Sequence, residues 1–150
     1  MEYRFRGYDV TGQKGWVYGD LTHTKRILQE SPFLADRVMV GGYEVYPESV
    51  GLASGLKDAN GREIFVGDIV RIHDSEFDEI VDSEVIFSCG VVGILNTDFG
   101  VPTSLSFFLD FHDGVQESYS DCSEYTVEVV SNVYEDSLIE NRYGNNRKSD

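Results

Sequence analysis

The segment GLKDANGREIFVGDIVRI, residues 55–72, constrains the fold more than any other part of the chain. Asn60-Gly61 predicts a hairpin turn, because a type I′ turn needs positive φ at both central residues. A strict two-residue loop would place Asp58 opposite Glu63, and facing like charges are unfavourable. We therefore expect a hairpin with a longer loop or a bulge.

The same segment predicts a second turn and a half-buried strand. Gly67-Asp68 marks the turn, after which Val70 and Ile72 share one face of the strand. Nine Phe, nine Tyr and one Trp make 13% of the chain aromatic, and fifteen Gly supply turn residues. These residue types favour strands and turns. The sequence predicts a mainly β fold, a small bent-sheet barrel with one or two short helical turns.

Other segments are assigned from apolar alternation and turn residues. The pattern predicts a hairpin over 3–21, a loop with one short strand over 22–37, a strand broken at Gly41-Gly42, a helical turn at 47–49, strands over 85–95, 104–111 and 125–134, and closing helical turns over 135–142. With no linker or repeat, we expect one domain over 1–142, with a near-neutral half at 1–72, an acidic half at 73–142 and a disordered tail at 143–150.

Negative charge is concentrated in the second half of the chain. Residues 1–72 contain nine Lys/Arg and ten Asp/Glu, whereas residues 73–150 contain three and seventeen, within a total net charge of -15. Affinity for duplex DNA comes mainly from Lys and Arg on phosphates, so binding to duplex DNA is disfavoured. An anionic membrane surface is disfavoured for the same reason.

Three ordered blocks give the chain a family resemblance. These are RFRGYD at 4–9, PESVGLASGLKDANGREIFVGDIVRI at 47–72 and EVVSNVYEDSLI at 128–139. In them the chain resembles the YopX family of bacteriophage and prophage proteins. The resemblance implies a phage-derived protein with a small barrel like that of Src homology 3 domains, and no established activity or catalytic residues.

Catalytic and cofactor motifs are missing from the sequence. It contains no GxSxG, Walker loop, GxGxxG or HExxH pattern. His73-Asp74 and His112-Asp113 are neighbours along the chain, but adjacent strand residues point to opposite faces. We expect a non-enzymatic protein without a cofactor or metal. Asp74, Glu76 and Asp78 could hold a hard cation if their loop folded back, although an exposed acidic loop is the favoured interpretation.

An acidic surface is the first candidate binding site. If the segment after residue 73 is extended, its carboxylates recur about every 6.6 Å on one side of a strand and imitate a line of phosphates. Such a surface would bind a host or phage protein, with electrostatic steering. The competing interpretation is that the charges only maintain solubility. The candidate residues are Asp74, Glu76, Asp78, Glu79, Asp82 and Glu84.

A nucleic-acid surface near the N-terminus is the alternative. Basic and aromatic residues interleave there, as backbone neutralisation and base stacking on a single strand require. Aromatic residues of a small β domain are more often core, and the acidic half would repel a polyanion. The residues are Arg4, Arg6, Trp16, Tyr18, Lys25 and Arg26.

Location and assembly follow from the same sequence. The charged N-terminus lacks the apolar run of a signal peptide, so we expect the protein in the cytoplasm of its bacterial host. Cys89 and Cys122 have no metal-ligand spacing, and we expect both to be buried, reduced thiols. Pairing of an edge strand with a second copy is an open alternative.

Overall fold

A computed structural model describes residues 4–27, 34–96, 101–112, 115–116 and 124–139. The chain divides into two compact units, Met1–Ala53 and Ser54–Asp150, called here the first and second units. The expected single domain over 1–142 stays a prediction, and the expected tail at 143–150 lies outside the described residues.

The first unit is built from short antiparallel strands. They are β1 (Phe5–Tyr8), β2 (Trp16–Gly19), β3 (Leu21–Ile27), β4 (Leu34–Val40), β5 (Tyr43–Glu44) and β6 (Gly51–Lys57), which ends in the second unit. β1 pairs with β2 and with the start of β6, and β3, β4 and β5 form a second sheet in that order. A 3-10 helix over Pro47–Ser49 confirms the expected helical turn.

A small valine core holds the first unit together. Val17, Val40 and Val45 are buried against one another. Gly7 lies in β1, where an added Cβ would come within 2.8 Å of the Val45 side chain. Since real Cβ atoms do not approach that closely, glycine is required for this packing. The hairpin predicted over residues 3–21 is confirmed, with Tyr8 opposite Trp16.

The second unit contains a five-stranded antiparallel sheet. The strands of this unit after β6 are β7 (Glu63–Phe65), β8 (Asp68–Asp74), β9 (Glu79–Ser88), β10 (Val91–Asn96), β11 (Val101–Ser104), β12 (Phe111–His112), β13 (Val115–Gln116) and β14 (Tyr125–Asn132). The sheet order is β11-β10-β9-β8-β14, while β7 pairs with β6 and β12 with β13. A 3-10 helix covers Leu105–Phe108, and an α-helix, α1, covers 133–139.

Buried and exposed residues alternate along β8, and the buried ones face the core of the second unit. Val70 and Ile72 are buried while Arg71 between them is exposed, as the sequence predicts. The two buried side chains pack with a larger apolar cluster that crosses the sheet. Its other buried members are Ile64, Val85, Leu105, Val127 and Val129.

A buried carboxylate organises the loop between β6 and β7. The loop covers residues 58–62, so the expected longer loop around Asn60-Gly61 is confirmed. Asp58 Oδ1 accepts hydrogen bonds from the backbone N–H groups of Asn60 and Arg62, both at 2.9 Å. Its Oδ2 accepts one from the Val129 N–H at 2.9 Å. Asp58 therefore shapes its own loop and attaches it to β14.

The mainly β fold with short helical turns is confirmed. Among the described strands, however, no sheet closes into a barrel. The loop with one short strand expected over residues 22–37 is wrong where the chain is described, because two strands, β3 and the start of β4, lie there and pair with each other. Cross-strand partners such as Lys25 and Asp36 stabilise this pairing, and such contacts leave no periodic signal in the sequence.

Two further local predictions are corrected. The strand expected over 104–111 is interrupted by the 3-10 helix at Leu105–Phe108, whose three-residue repeat turns Leu105 and Phe108 to the core. Cys89 is exposed at a turn with φ 54°, so its expected burial is wrong. Cys122 lies outside the described residues.

Candidate functional site

The acidic segment forms a hairpin, defined here as Asp74 to Glu84, the end of β8, the turn at 75–78 and the first part of β9. Asp74 and Glu79 face each other where the strands end. Asp74 Oδ1 accepts hydrogen bonds from the N–H groups of Glu76, at 3.0 Å, and Phe77, at 3.3 Å. This Asx-type turn reverses the chain.

The expected single row of carboxylates is therefore wrong. Asp74, Glu76 and Asp78 lie at the turn, where the repeat of a strand does not apply. Asp78 has φ 51°, and its Oδ1 lies 2.8 Å from His73 Nε2. Asp-Ser at the start of the turn was the available sequence signal, since Asp commonly initiates such turns.

β9 contains three of the predicted carboxylates, Glu79, Asp82 and Glu84. Asp82 lies opposite Arg71, and the two form a bidentate ion pair with N–O distances of 2.9 and 3.0 Å. The Arg71 guanidinium lowers the pKa of Asp82, and the hydrogen bonds from Arg71 to Asp82 raise the pKa of the guanidinium. Glu84 lies opposite Ile69 and is exposed. The pairing neutralises one of the six charges within the sheet.

Large apolar side chains share the hairpin with these charges. Phe77 is 68% exposed, Ile80 63% and Val81 52%. His73 lies opposite Ile80 and Ile72 opposite Val81, so the two β9 residues point to opposite faces. Sequence reasoning missed this feature, because it treated the segment as acidic and gave its three apolar residues no role.

An aromatic cluster lies beside the turn end of the hairpin. Its ring centroids are 5.1 Å apart for Phe107 and Phe108, 5.1 Å for Phe108 and Tyr125, and 5.9 Å for Phe107 and Tyr125. Tyr125 is the cross-strand partner of Asp74. Partial burial, followed by the charges of Asp74 and its acidic neighbours, raises the pKa of Tyr125.

Only some residues of the alternative nucleic-acid surface are exposed to solvent. Arg6 is 5% exposed, and its guanidinium lies 4.6 Å from the centre of the Trp16 ring. Arg4 and Tyr18 are exposed, and exposed Lys25 Nζ lies 3.9 Å from an Asp36 carboxylate oxygen. The Arg26 side chain lies outside the described residues. The burial of Arg6 removes one predicted phosphate contact.

Neither a metal site nor a membrane helix emerges from the part of the chain that is described. In that part, no group of three or more His, Cys, Asp or Glu side chains is placed to hold a metal ion. No described helix has the length and apolar character needed to cross a membrane.

Comparison with protein families decides the classification. The family model for YopX protein matches residues 4–140, nearly the whole chain. The chain belongs to the YopX family. A search of curated proteins found no match to it. The YopX assignment agrees with the resemblance carried by the three sequence blocks, and it specifies no activity or partner.

The YopX blocks supply scaffold residues in this structure. The central block contains Asp58, which holds the loop at 58–62, and Asp68, whose Oδ2 accepts a hydrogen bond from the Phe65 N–H at 2.8 Å. The last block contains Asn132, whose Oδ1 accepts one from the Glu135 N–H at 2.8 Å and so caps helix α1. The acidic hairpin lies between these blocks, apart from the residues that hold the fold.

Proposed function

We propose that this member of the YopX family is a non-enzymatic, protein-binding accessory protein of a phage or prophage. Its working surface is the acidic hairpin, its partner is a host or phage protein, and it acts in the bacterial cytoplasm. The observation that carries the proposal is the exposure of Phe77, Ile80 and Val81 among carboxylates.

Exposed apolar side chains favour a protein partner over a passive acidic surface. Scattered single apolar residues are ordinary on protein surfaces, but here three large exposed ones fall within five consecutive positions of one hairpin, among carboxylates. Carboxylates alone would maintain solubility without Phe77 or Ile80. Protein interfaces are characterised by an apolar centre with a polar rim, and this hairpin has both components.

Charge supports a basic partner. The second unit contains six Lys/Arg and twenty Asp/Glu, so its formal net charge is -14. A field of this strength accelerates encounter with a basic surface and repels acidic competitors. The Arg71–Asp82 pair and the turn at 75–78 break the regular spacing that imitation of a phosphate chain requires. Recognition of mixed basic and apolar side chains is therefore favoured over imitation of nucleic acid.

Charge reversal on the hairpin tests the proposal. The variant combines Glu76→Lys, Glu79→Lys and Glu84→Lys, which spares the carboxylates that hold the turn or pair with Arg71. The control makes the same charge change at exposed residues elsewhere: Asp20→Lys, Glu48→Lys and Asp110→Lys. Affinity capture from host cells, with mass spectrometry, identifies partners, and thermal melting verifies the fold.

We expect the hairpin variant to lose its partner at unchanged melting temperature while the control retains it. Retention of the partner by both variants would show that the hairpin charges are not needed for binding. Loss by both would show that attraction to total charge, rather than this surface, determines capture.

A further inference from the structure

A fixed aromatic side chain stands exposed beside the hairpin. Leu105 is fully buried and anchors the 3-10 helix, and Phe108 packs against the same core. Phe107 between them is 63% exposed, with its ring against those of Phe108 and Tyr125. Because its neighbours hold the backbone, this ring is presented in one place and loses little freedom when it binds a partner.

Carboxylates lie near Tyr125 on the hairpin side of this aromatic surface. Asp74 faces Tyr125 across the strand pair, and Ser75 donates hydrogen bonds from its N–H and hydroxyl to the Glu124 carbonyl at 2.8 and 2.9 Å. These bonds hold the turn against the residue before β14. Asp74, Glu76 and Glu124 all act electrostatically on the Tyr125 ring hydroxyl.

Aromatic rings beside carboxylates are complementary to a guanidinium group. The planar guanidinium stacks on ring faces and donates paired hydrogen bonds to carboxylates. A neutral apolar side chain would gain nothing from the negative rim. A lysine ammonium lacks the planar fork and is more strongly hydrated. The combination therefore favours arginine over other side chains.

We propose that Phe107 and Tyr125, with Asp74, Glu76 and Glu124, form an aromatic–acidic patch that receives an arginine side chain of the partner protein. The inference rests on the proposed function, since the patch shares Asp74 and Glu76 with the acidic hairpin. It specifies which residue of a basic partner makes the central contact, and it places Phe107 within the interface.

Peptide binding tests the patch directly. The probe is a fluorescently labelled, terminally blocked peptide in which arginine alternates with leucine, followed by anisotropy at low ionic strength. The comparison peptides replace arginine with citrulline, which keeps the shape without the charge, or with lysine. The protein variants are Phe107→Leu and Glu76→Gln. Their controls are Phe87→Leu, at an exposed position of β9, and Glu48→Gln, at an exposed position of the 3-10 helix over Pro47–Ser49.

We expect the arginine peptide to bind more tightly than the lysine and citrulline peptides. Phe107→Leu weakens binding roughly 3- to 5-fold and Glu76→Gln about 2-fold, with the controls close to wild type. Equal affinity of the arginine and citrulline peptides would overturn the proposal, as would equal affinity of the arginine and lysine peptides, or wild-type affinity in both patch variants.

A failure of the patch can be distinguished from a failure of the proposed function. If the hairpin charge reversal abolishes peptide binding while Phe107→Leu leaves it at wild-type affinity, the result would contradict the patch and leave the hairpin surface in place. If the wild-type protein binds no arginine peptide, the patch is wrong. The capture experiment then decides the hairpin by itself.

Discussion

The Asp58 carboxylate accepts a hydrogen bond from the Val129 N–H at 2.9 Å, across 71 positions of sequence. Its other oxygen accepts two more from the loop at 58–62. A buried charge is tolerated when it is well hydrogen-bonded, and three backbone donors satisfy this one. One side chain therefore closes a loop and fastens it to the edge strand β14.

Replacing Asp58 tests that role. Asp58→Ala leaves three N–H groups without this acceptor, the one of Val129 buried and two part-buried, and we expect a loss of about 3 kcal/mol of unfolding free energy. Asp58→Asn also destabilises, because its amide must place a donor against one of the N–H groups. Urea unfolding measures both. Asp110→Asn, at an exposed position, is the control, and equal stabilities of all three variants would contradict the assignment.

The cap of helix α1 gives a second prediction. Asn132 is buried and its Oδ1 accepts a hydrogen bond from the Glu135 N–H. Asn132→Ala should cost about 1 kcal/mol, and Asn132→Asp should preserve most of the stability because it keeps the accepting oxygen. Thermal melting of the two variants measures the difference. Equal loss in both would assign the role of Asn132 to packing.

Asp9 predicts acid sensitivity. Hydrogen bonds from the Thr11 hydroxyl at 2.6 Å and N–H at 3.1 Å lower the pKa of Asp9. Because the folded-state pKa is the lower one, the stabilisation is complete above the ordinary value of 3.8 and is lost as pH falls through the folded-state pKa. We expect Thr11→Val to raise the Asp9 pKa and Thr11→Ser to preserve it, as NMR titration would show. An unchanged pKa in Thr11→Val would contradict the cause.

The apolar part of the hairpin gives a prediction that separates binding from folding. Phe77→Ser with Ile80→Ser removes two exposed side chains, so the unfolding free energy should stay within about 1 kcal/mol of wild type. Partner affinity should fall at least 10-fold if these residues form an interface centre. Calorimetry with the captured partner measures the affinity. Phe87→Ser, also at an exposed position, should bind normally.

The N-terminal surface gives the prediction for nucleic acid. Trp16 is the only tryptophan, so its fluorescence reports on the Arg6 contact and on any stacked base. We expect no change in Trp16 fluorescence on adding single-stranded oligonucleotides, even at low salt. Arg6→Lys should shift the emission, because an ammonium does not reproduce the stacking of a guanidinium. Oligonucleotide binding that weakens with salt would instead support the alternative function.

Local chemistry explains which parts of the fold could be predicted. The loop at 58–62, the turn at Gly67 and the alternation of Val70 and Ile72 follow from residue types a few positions apart, and the structure confirms them. The β3–β4 pair could not be found in this way. Its cross-strand partners, such as Lys25 and Asp36, lie in consecutive strands, and neither strand has the apolar alternation that would reveal the pairing.

The candidate site likewise has features that the sequence predicts and features that it does not. The concentration of charge was visible in the sequence, but the partnership of Asp82 with Arg71 depends on strand register. Phe107 is the clearest omission, since FF in an apolar run is typical of a strand. A 3-10 turn instead places neighbouring rings in different environments, and tertiary packing selects that turn.

The turn at 75–78 is held by the Asp74 carboxylate and the Glu124 carbonyl. The shape of this loop thus depends little on the side chains of Glu76 and Phe77, which project from it. Substitutions there can accumulate without loss of the fold. Under the proposed function, this loop can change its partner one residue at a time, so YopX relatives with nearly the same scaffold are expected to differ most in the proteins they bind.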